Sequence, residues 1–200
     1  MTLDQVIREV QSAVGVEADG KPGPLTWTAI YDRLCAVEEV TDSVVTTRVD
    51  TRSESTIATL HPLVRTHARA LVTRAAASGI TIKIISGLRT YDEQNALHAQ
   101  GRSKPGKIVT HARGGFSNHN FGIAFDIGVF DGARYISESP SYKAVAAIGL
   151  DLGLEWGGSW NTIKDEPHYQ LRPSWAAGMS ESVMLSELRR RKDSGRDFFT

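Results

Sequence analysis

The chain has 200 residues, 40% hydrophobic and 23% charged, enough apolar content for one ordinary domain with a small appendage. Its 23 basic and 23 acidic residues cancel, which argues against a general nucleic-acid binder. A single cysteine, Cys35, excludes an intrachain disulfide framework and reads as a small buried hydrophobe. No apolar run approaches the roughly 18 residues of a membrane span, so no membrane insertion is expected. The opening MTLDQVIREV has neither a basic start nor a continuous apolar stretch, so a secretory signal is not expected either.

In chain order, Val6, Ile7, Val10 and Val14 recur at helical spacing over residues 4 to 14. A Gly/Pro-rich turn follows from Ala18 to Pro24, and Leu25 to Ile30 opens a second helix. Pro24 falls in its first turn, where the missing N–H costs nothing. Residues 37–56 are polar and aperiodic and read as a linker, with a short strand at Ser43 to Thr47. Leu60, Leu63, Val64, Ala68, Leu71, Val72 and Ala75 predict a long helix that Gly79 ends. Pro62 marks its start, which makes His61 and His67 surface or packing residues. Thr81 to Ser86 alternates as a strand and delivers Gly87-Leu88-Arg89 at its end. Tyr91 to Gln100 reads as a short helix with Asp92 and Glu93 near its positive end. The Gly/Lys/Arg-rich loop Gly101 to Gly115 is placed to rim a groove, and a further helix is expected over Tyr142 to Leu152. The run Arg189-Arg190-Arg191-Lys192 reads as a solvated helix end, with weak attraction to anionic polymers as the alternative.

Chemistry concentrates in Ser117-Asn-His-Asn-Phe-Gly-Ile-Ala-Phe-Asp126 and, further on, Asp165-Glu-Pro-His168. Asp126 stands in the apolar run Phe121 to Val129, where a buried carboxylate costs several kcal/mol unless a cation or donors compensate it. Two imidazoles and that carboxylate form a donor set for Zn²⁺ with a fourth position left for water. The metal lowers the pKa of that water to about 7, and a nearby carboxylate can take its proton. The expected ligands are therefore His119, Asp126 and His168, with one Zn²⁺ per chain. Asp165 is the expected base, and Glu166 competes because spacing alone does not say which acid faces the metal.

The pattern Ser-x-His-x-x-Gly-x-Ala-x-Asp, then Asp-x-x-His, preceded by Ser86-Gly-Leu-Arg-Thr90, resembles the D-alanyl-D-alanine carboxypeptidase family of zinc peptidases. That family also holds vancomycin-resistance dipeptidases and phage L-alanyl-D-glutamate endolysins. The stretches Tyr91 to Arg102, Pro105 to Thr110 and Leu154 to Gly158 are most similar to the endolysin branch, and the likeness covers about residues 57 to 172. It implies that Arg89 is the cation that holds the scissile carbonyl or a substrate carboxylate, against a plain ion pair at the strand end. It implies that Ser117 binds substrate or orients His119. Trp156 and Trp160 either wall the cleft or pack over the sheet, and His111 lies in a loop within reach of the groove. Near the N-terminus, Val16-x-x-Asp-Gly-x-x-Gly-Pro-x-Thr-Trp27 resembles a peptidoglycan-binding helical module, though shorter than that module usually is.

The expected fold is α+β: a small antiparallel sheet carrying the zinc site, flanked by helices over 57–79 and 141–153. The expected organisation is a peptidoglycan-binding-like helical segment at 1–36, a linker at 37–56, the peptidase at 57–176 and a charged tail at 177–200. The implied function is a monomeric peptidoglycan hydrolase cutting the L-alanyl-D-glutamate bond of the stem peptide. The alternatives are D-alanyl-D-alanine carboxypeptidase action and a non-catalytic, zinc-containing wall-binding protein. Without a signal, the resemblance implies synthesis in the cytoplasm and release to the wall, through a holin if the source is a phage or prophage.

Overall fold

The computed structural model describes residues 2–34, 48–161 and 163–200. Cys35 and the strand expected at Ser43 to Thr47 lie outside the described residues. The chain divides into two compact units, Met1–Thr46 and Thr47–Thr200. Among the described residues, no helix is long and apolar enough to cross a membrane.

The first unit holds helices α1 (Leu3–Val14) and α2 (Pro24–Leu34). Thr2 and Gln5 form a reciprocal capping box at the start of α1, and Gly15, at φ 81°, ends it in the left-handed conformation that only glycine adopts cheaply. The expected apolar stripe is not the buried one: Val6 and Val10 are exposed, and the buried residue of α1 is Gln11. Its amide donates to Asp19 Oδ1 at 2.7 Å and Thr26 Oγ1 at 3.1 Å and accepts from Gly20 N at 2.8 Å. One polar side chain thus organises the Gly/Pro-rich turn, something hydrophobic periodicity cannot reveal.

The second unit begins inside the expected linker. Asp50 caps helix α3 (Thr51–Ile57), accepting from Ser53 N at 3.1 Å. Ser53 is buried and its hydroxyl accepts from Ile84 N at 2.9 Å, so this polar helix is stitched to the sheet by hydrogen bonds. Helix α4 (Pro62–Ala77) buries Val64, Ala68, Leu71, Val72 and Ala75, and Gly79 at φ 75° follows it. His61 is its N-cap and pairs with Asp197 at 3.0 Å, while His67 bonds the Leu63 carbonyl, so both are engaged away from His119 and His168.

Strand β1 (Ile82–Ser86) leads through helix α5 (Tyr91–Ala99) to β2 (Ala124–Asp131) and β3 (Arg134–Ile136). Helix α6 (Ser141–Asp151), β4 (Glu155–Trp156) and β5 (His168–Gln170) complete an antiparallel sheet in the order β1-β2-β5-β4, with β3 on β2. Alternation along β2 sends Phe125 and Ile127 into a core shared with Ile84, Leu71, Tyr142 and Tyr169. The fold is the expected α+β arrangement.

The stretch expected as a charged tail is part of this unit. Helix α7 (Glu181–Asp193) buries Met184, Leu185 and Leu188. Its basic run is partly tied inward: Arg190 is exposed, but the other three cations have partners elsewhere in the unit. Arg189 donates to Gly115 O at 2.9 Å and lies 4.3 Å from the Phe116 ring, and Lys192 donates to Asn120 O at 3.2 Å. Arg191 stacks on Trp175. Arg189 and Lys192 thus cap open carbonyls in the loop that carries His119, a tertiary role that local charge counting does not show.

Candidate active site

Strand register assembles the centre. In the β2–β5 pairing Asp126 stands opposite His168, and in the β1–β2 pairing Ser86 stands opposite Asp126. His119 arrives from the 3-10 turn Asn118–Phe121, which Gly122 closes at φ 64°. The two imidazole side chains are almost fully buried and Asp126 is 16% exposed.

His119 Nε2, Asp126 Oδ1 and His168 Nδ1 lie 3.2 Å from one another in all three pairings. The outer ring nitrogens fix the tautomers. His119 Nδ1 donates to Gly87 O at 2.8 Å, and His168 Nε2 donates to Gln170 Oε1 at 2.9 Å. With both imidazoles neutral, three lone pairs converge with no proton between them, an arrangement that repels itself unless a cation sits at its centre. Tetrahedral ligand bonds of roughly 2.0–2.1 Å would set such atoms about 3.3 Å apart, so the donor set fits a metal.

Without a metal, protonation of the imidazoles supplies the compensating charge. Burial pushes the Asp126 carboxyl up, but the facing His119 and His168 rings outweigh it and hold that carboxyl well below the usual range. Burial lowers the His168 value, yet its hydrogen bond and charge contact with Asp126 leave it raised. The Asp165 carboxyl is raised, first by burial and then by the Asp126 charge.

A cavity of about 920 Å³ opens over these atoms. Arg89, Ser117, Trp156, Trp160 and Asp165 line it together with His119, Asp126 and His168. Glu166 is not among the lining residues, and its carbonyl accepts from Trp156 Nε1 at 2.8 Å. Trp160 lies with its ring centroid 4.8 Å from that of His168.

Arg89 is held by partners within the protein. Its Nη2 donates to Asp126 Oδ2 at 2.7 Å and Ser86 Oγ at 3.0 Å, and its Nη1 donates to Gln94 Oε1 at 3.2 Å. The ion pair at the strand end is thus formed, and it turns Asp126 Oδ1 toward the histidines. Among the described residues, Ser117 makes no side-chain bond to His119; the Gly87 carbonyl orients that ring instead. His111 is exposed, sits 3.5 Å from Arg102 and does not line the cavity.

Two participants escaped the sequence. Gln170 follows His168 by two positions in a strand, so it shares that face, and that i, i+2 spacing from a candidate ligand was the available signal. Gly157 packs so closely that a Cβ would lie 2.6 Å from Asp165 O and 2.9 Å from His168 Cβ.

A family model described as D-alanyl-D-alanine carboxypeptidase matches residues 110–171, which contain His119, Asp126, Asp165 and His168. The peptidoglycan L-alanyl-D-glutamate endopeptidase CwlK of Bacillus subtilis (strain 168) is 40% identical over 127 residues, 58% of this chain and 75% of the relative. The crystal structure of the Serratia marcescens L-Ala D-Glu endopeptidase ChiX is similar at a TM-score of 0.50 and 25% identity, over 66% of this chain and 95% of that one. A likeness of this extent, running through the very segments that carry the converging lone pairs, makes the chain a member of the D-alanyl-D-alanine carboxypeptidase family of metallopeptidases.

Proposed function

We propose that this protein is a zinc-dependent peptidoglycan hydrolase that cuts the stem peptide between L-alanine and D-glutamate. The observation that carries the reading is the convergence of His119 Nε2, Asp126 Oδ1 and His168 Nδ1, with both ring protons turned away, inside a cavity that Asp165 also lines. The choice of bond rests on the similarity to CwlK, an L-alanyl-D-glutamate endopeptidase.

Zinc bound by those three residues supplies Lewis-acid activation of water and of the scissile carbonyl. Asp165 is the base in this reading: burial raises its carboxyl and makes its oxygen a better proton acceptor. It takes a proton from the attacking water as the carbonyl C–O bond forms. It returns that proton to the nitrogen of D-glutamate as the C–N bond breaks. Arg89 holds Asp126 in place through Oδ2 and adds positive charge at the cavity wall, where negative charge develops on the carbonyl oxygen. Trp156 and Trp160 form an apolar wall for the peptide, and Ser117 offers a hydroxyl at the same cavity. The helical segment at 1–36 is either a wall-binding module or a hairpin without wall affinity, and the protein acts as a monomeric, endolysin-like enzyme released to the wall, through a holin if its source is a phage or prophage.

The test is digestion of purified sacculi followed by mass spectrometry of the soluble products. Stem peptides that begin with D-glutamate are expected. Release of D-alanine alone would make the chain a carboxypeptidase, and no new amino groups would make it a binding protein.

A further inference from the structure

Beside His168, the cavity wall carries a line of polar side chains that the proposed chemistry does not use. His168 Nε2 donates to Gln170 Oε1 at 2.9 Å, and Gln170 is itself buried at 1% exposure. The Gln170 amide nitrogen donates to Glu155 Oε2 at 2.7 Å, and Asn118 Nδ2 donates into Gln170 Oε1 at 2.6 Å. Glu155 is held in turn by Arg172, whose Nε bonds Oε1 and whose Nη2 reaches Oε2 at 3.2 Å.

The direction of this line follows from donor and acceptor types. An ionised carboxylate only accepts, so the Gln170 NH₂ must face Glu155 and its carbonyl oxygen must face His168. That oxygen also only accepts, so the proton of His168 sits on Nε2 and Nδ1 is left as a lone pair. With the amide reversed, its oxygen would oppose the Glu155 carboxylate and its NH₂ would oppose Asn118 Nδ2. The orientation of Gln170 is therefore decided by Glu155 on its NH₂ side and by Asn118, which Glu181 holds in turn, on its oxygen side.

We propose that Glu155, anchored by Arg172 and acting through Gln170, is a positioning residue that sets the tautomer of His168 and so presents Nδ1 to the metal. The proposal rests on the metal reading given above. Partners of metal-bound histidines typically change metal affinity by about 10–100-fold, and Glu155, one bond further out, is expected at about tenfold.

Glu181 provides the control. It shares Arg172 with Glu155, at 3.0 Å, and lines the same cavity, but it reaches Gln170 only through Asn118 and makes no bond to the Gln170 NH₂. The experiment measures the zinc dissociation constant of the full chain by competition with a chromophoric chelator. Glu155→Gln keeps the shape but lets the Gln170 amide reverse, so zinc should bind about tenfold more weakly, with the metal-free melting temperature unchanged. Glu181→Gln removes the same charge but leaves Glu155 on the Gln170 amide, so it should weaken zinc binding less than Glu155→Gln does. Exchanging the pair, Glu155→Gln with Gln170→Glu, again turns an acceptor-only oxygen to His168 and should recover the affinity. In the zinc-loaded wild type, nitrogen-15 NMR should show a slowly exchanging His168 Nε2 proton that Glu155→Gln broadens. Unchanged affinity in Glu155→Gln, equal losses in Glu155→Gln and Glu181→Gln, or an exchange variant that does not recover would overturn the inference while leaving the metal reading in place. Wild-type protein that takes up no zinc would overturn both.

Discussion

Replacing Gly157 by alanine should damage the centre through space alone. Gly157 follows β4, and its carbonyl accepts from Asp165 N at 3.1 Å. It is absent from the positive-φ glycines, so an alanine there adopts its backbone without strain. The new Cβ, however, would lie 2.6 Å from the Asp165 carbonyl oxygen, where ordinary contact begins at 3.4 Å, so the Asp165 backbone must move by about 0.8 Å. Overpacking of this kind typically costs about 1–3 kcal/mol, and a catalytic group misplaced by about 1 Å can lose about 10²-fold in rate. Gly157→Ala is therefore expected to cut the rate of amino-group release from sacculi by about 10–100-fold at saturating zinc and to weaken zinc binding through His168. Gly153→Ala is the counterpart: at φ 76° with nothing within 4 Å of the added Cβ, it should cost about 1–2 kcal/mol of stability and leave the rate unchanged. A Gly157→Ala protein with wild-type rate and zinc affinity would refute the claim that this close approach positions Asp165 and His168.

Asp165→Ala should keep zinc and lose about 10²-fold or more in rate, while Glu166→Ala stays near wild type; the reverse result would move the base to Glu166. Protein purified without added metal should carry close to one equivalent of zinc by elemental analysis, and His168→Ala should lower both zinc and rate, because an open site cannot spare a ligand. The two histidine-facing groups also set a pH signature in the metal-free protein. Asp126 is depressed, so its contribution to stability is present above its unfolded value and is lost only as pH falls through the depressed one. His168 is raised, so its contribution is full below the ordinary histidine value and is lost as pH rises through the raised one. Melting temperatures of metal-free protein should thus fall on the alkaline side, and zinc, which requires a neutral imidazole, should abolish that fall; a flat metal-free profile would contradict the pairing.

Much of the fold was legible because periodicity is a local signal. The alternation of Thr81 to Ser86, the helical spacing from Leu60 to Ala75 and Gly79 behind it correspond to β1, α4 and its end. The site's residue types were legible too, since an aspartate in the apolar run of β2 needs compensation that histidines with a metal can supply. The polar segments were not. Thr51–Ile57 has no apolar stripe and becomes a helix because Asp50 caps it and Ser53 bonds β1. The basic run of α7 looked solvated because its carbonyl and aromatic partners, in the His119 loop and at Tyr91, Phe116 and Trp175, lie far off in sequence. Sequence by itself determined which side chains could bind a metal, since that depends on their chemical type. Only tertiary structure decided that Asp126 faces His168, that Arg89 holds Asp126 and that Gln170 fixes the His168 proton, because hydrogen bonds across strands are set by register, and register belongs to the assembled sheet.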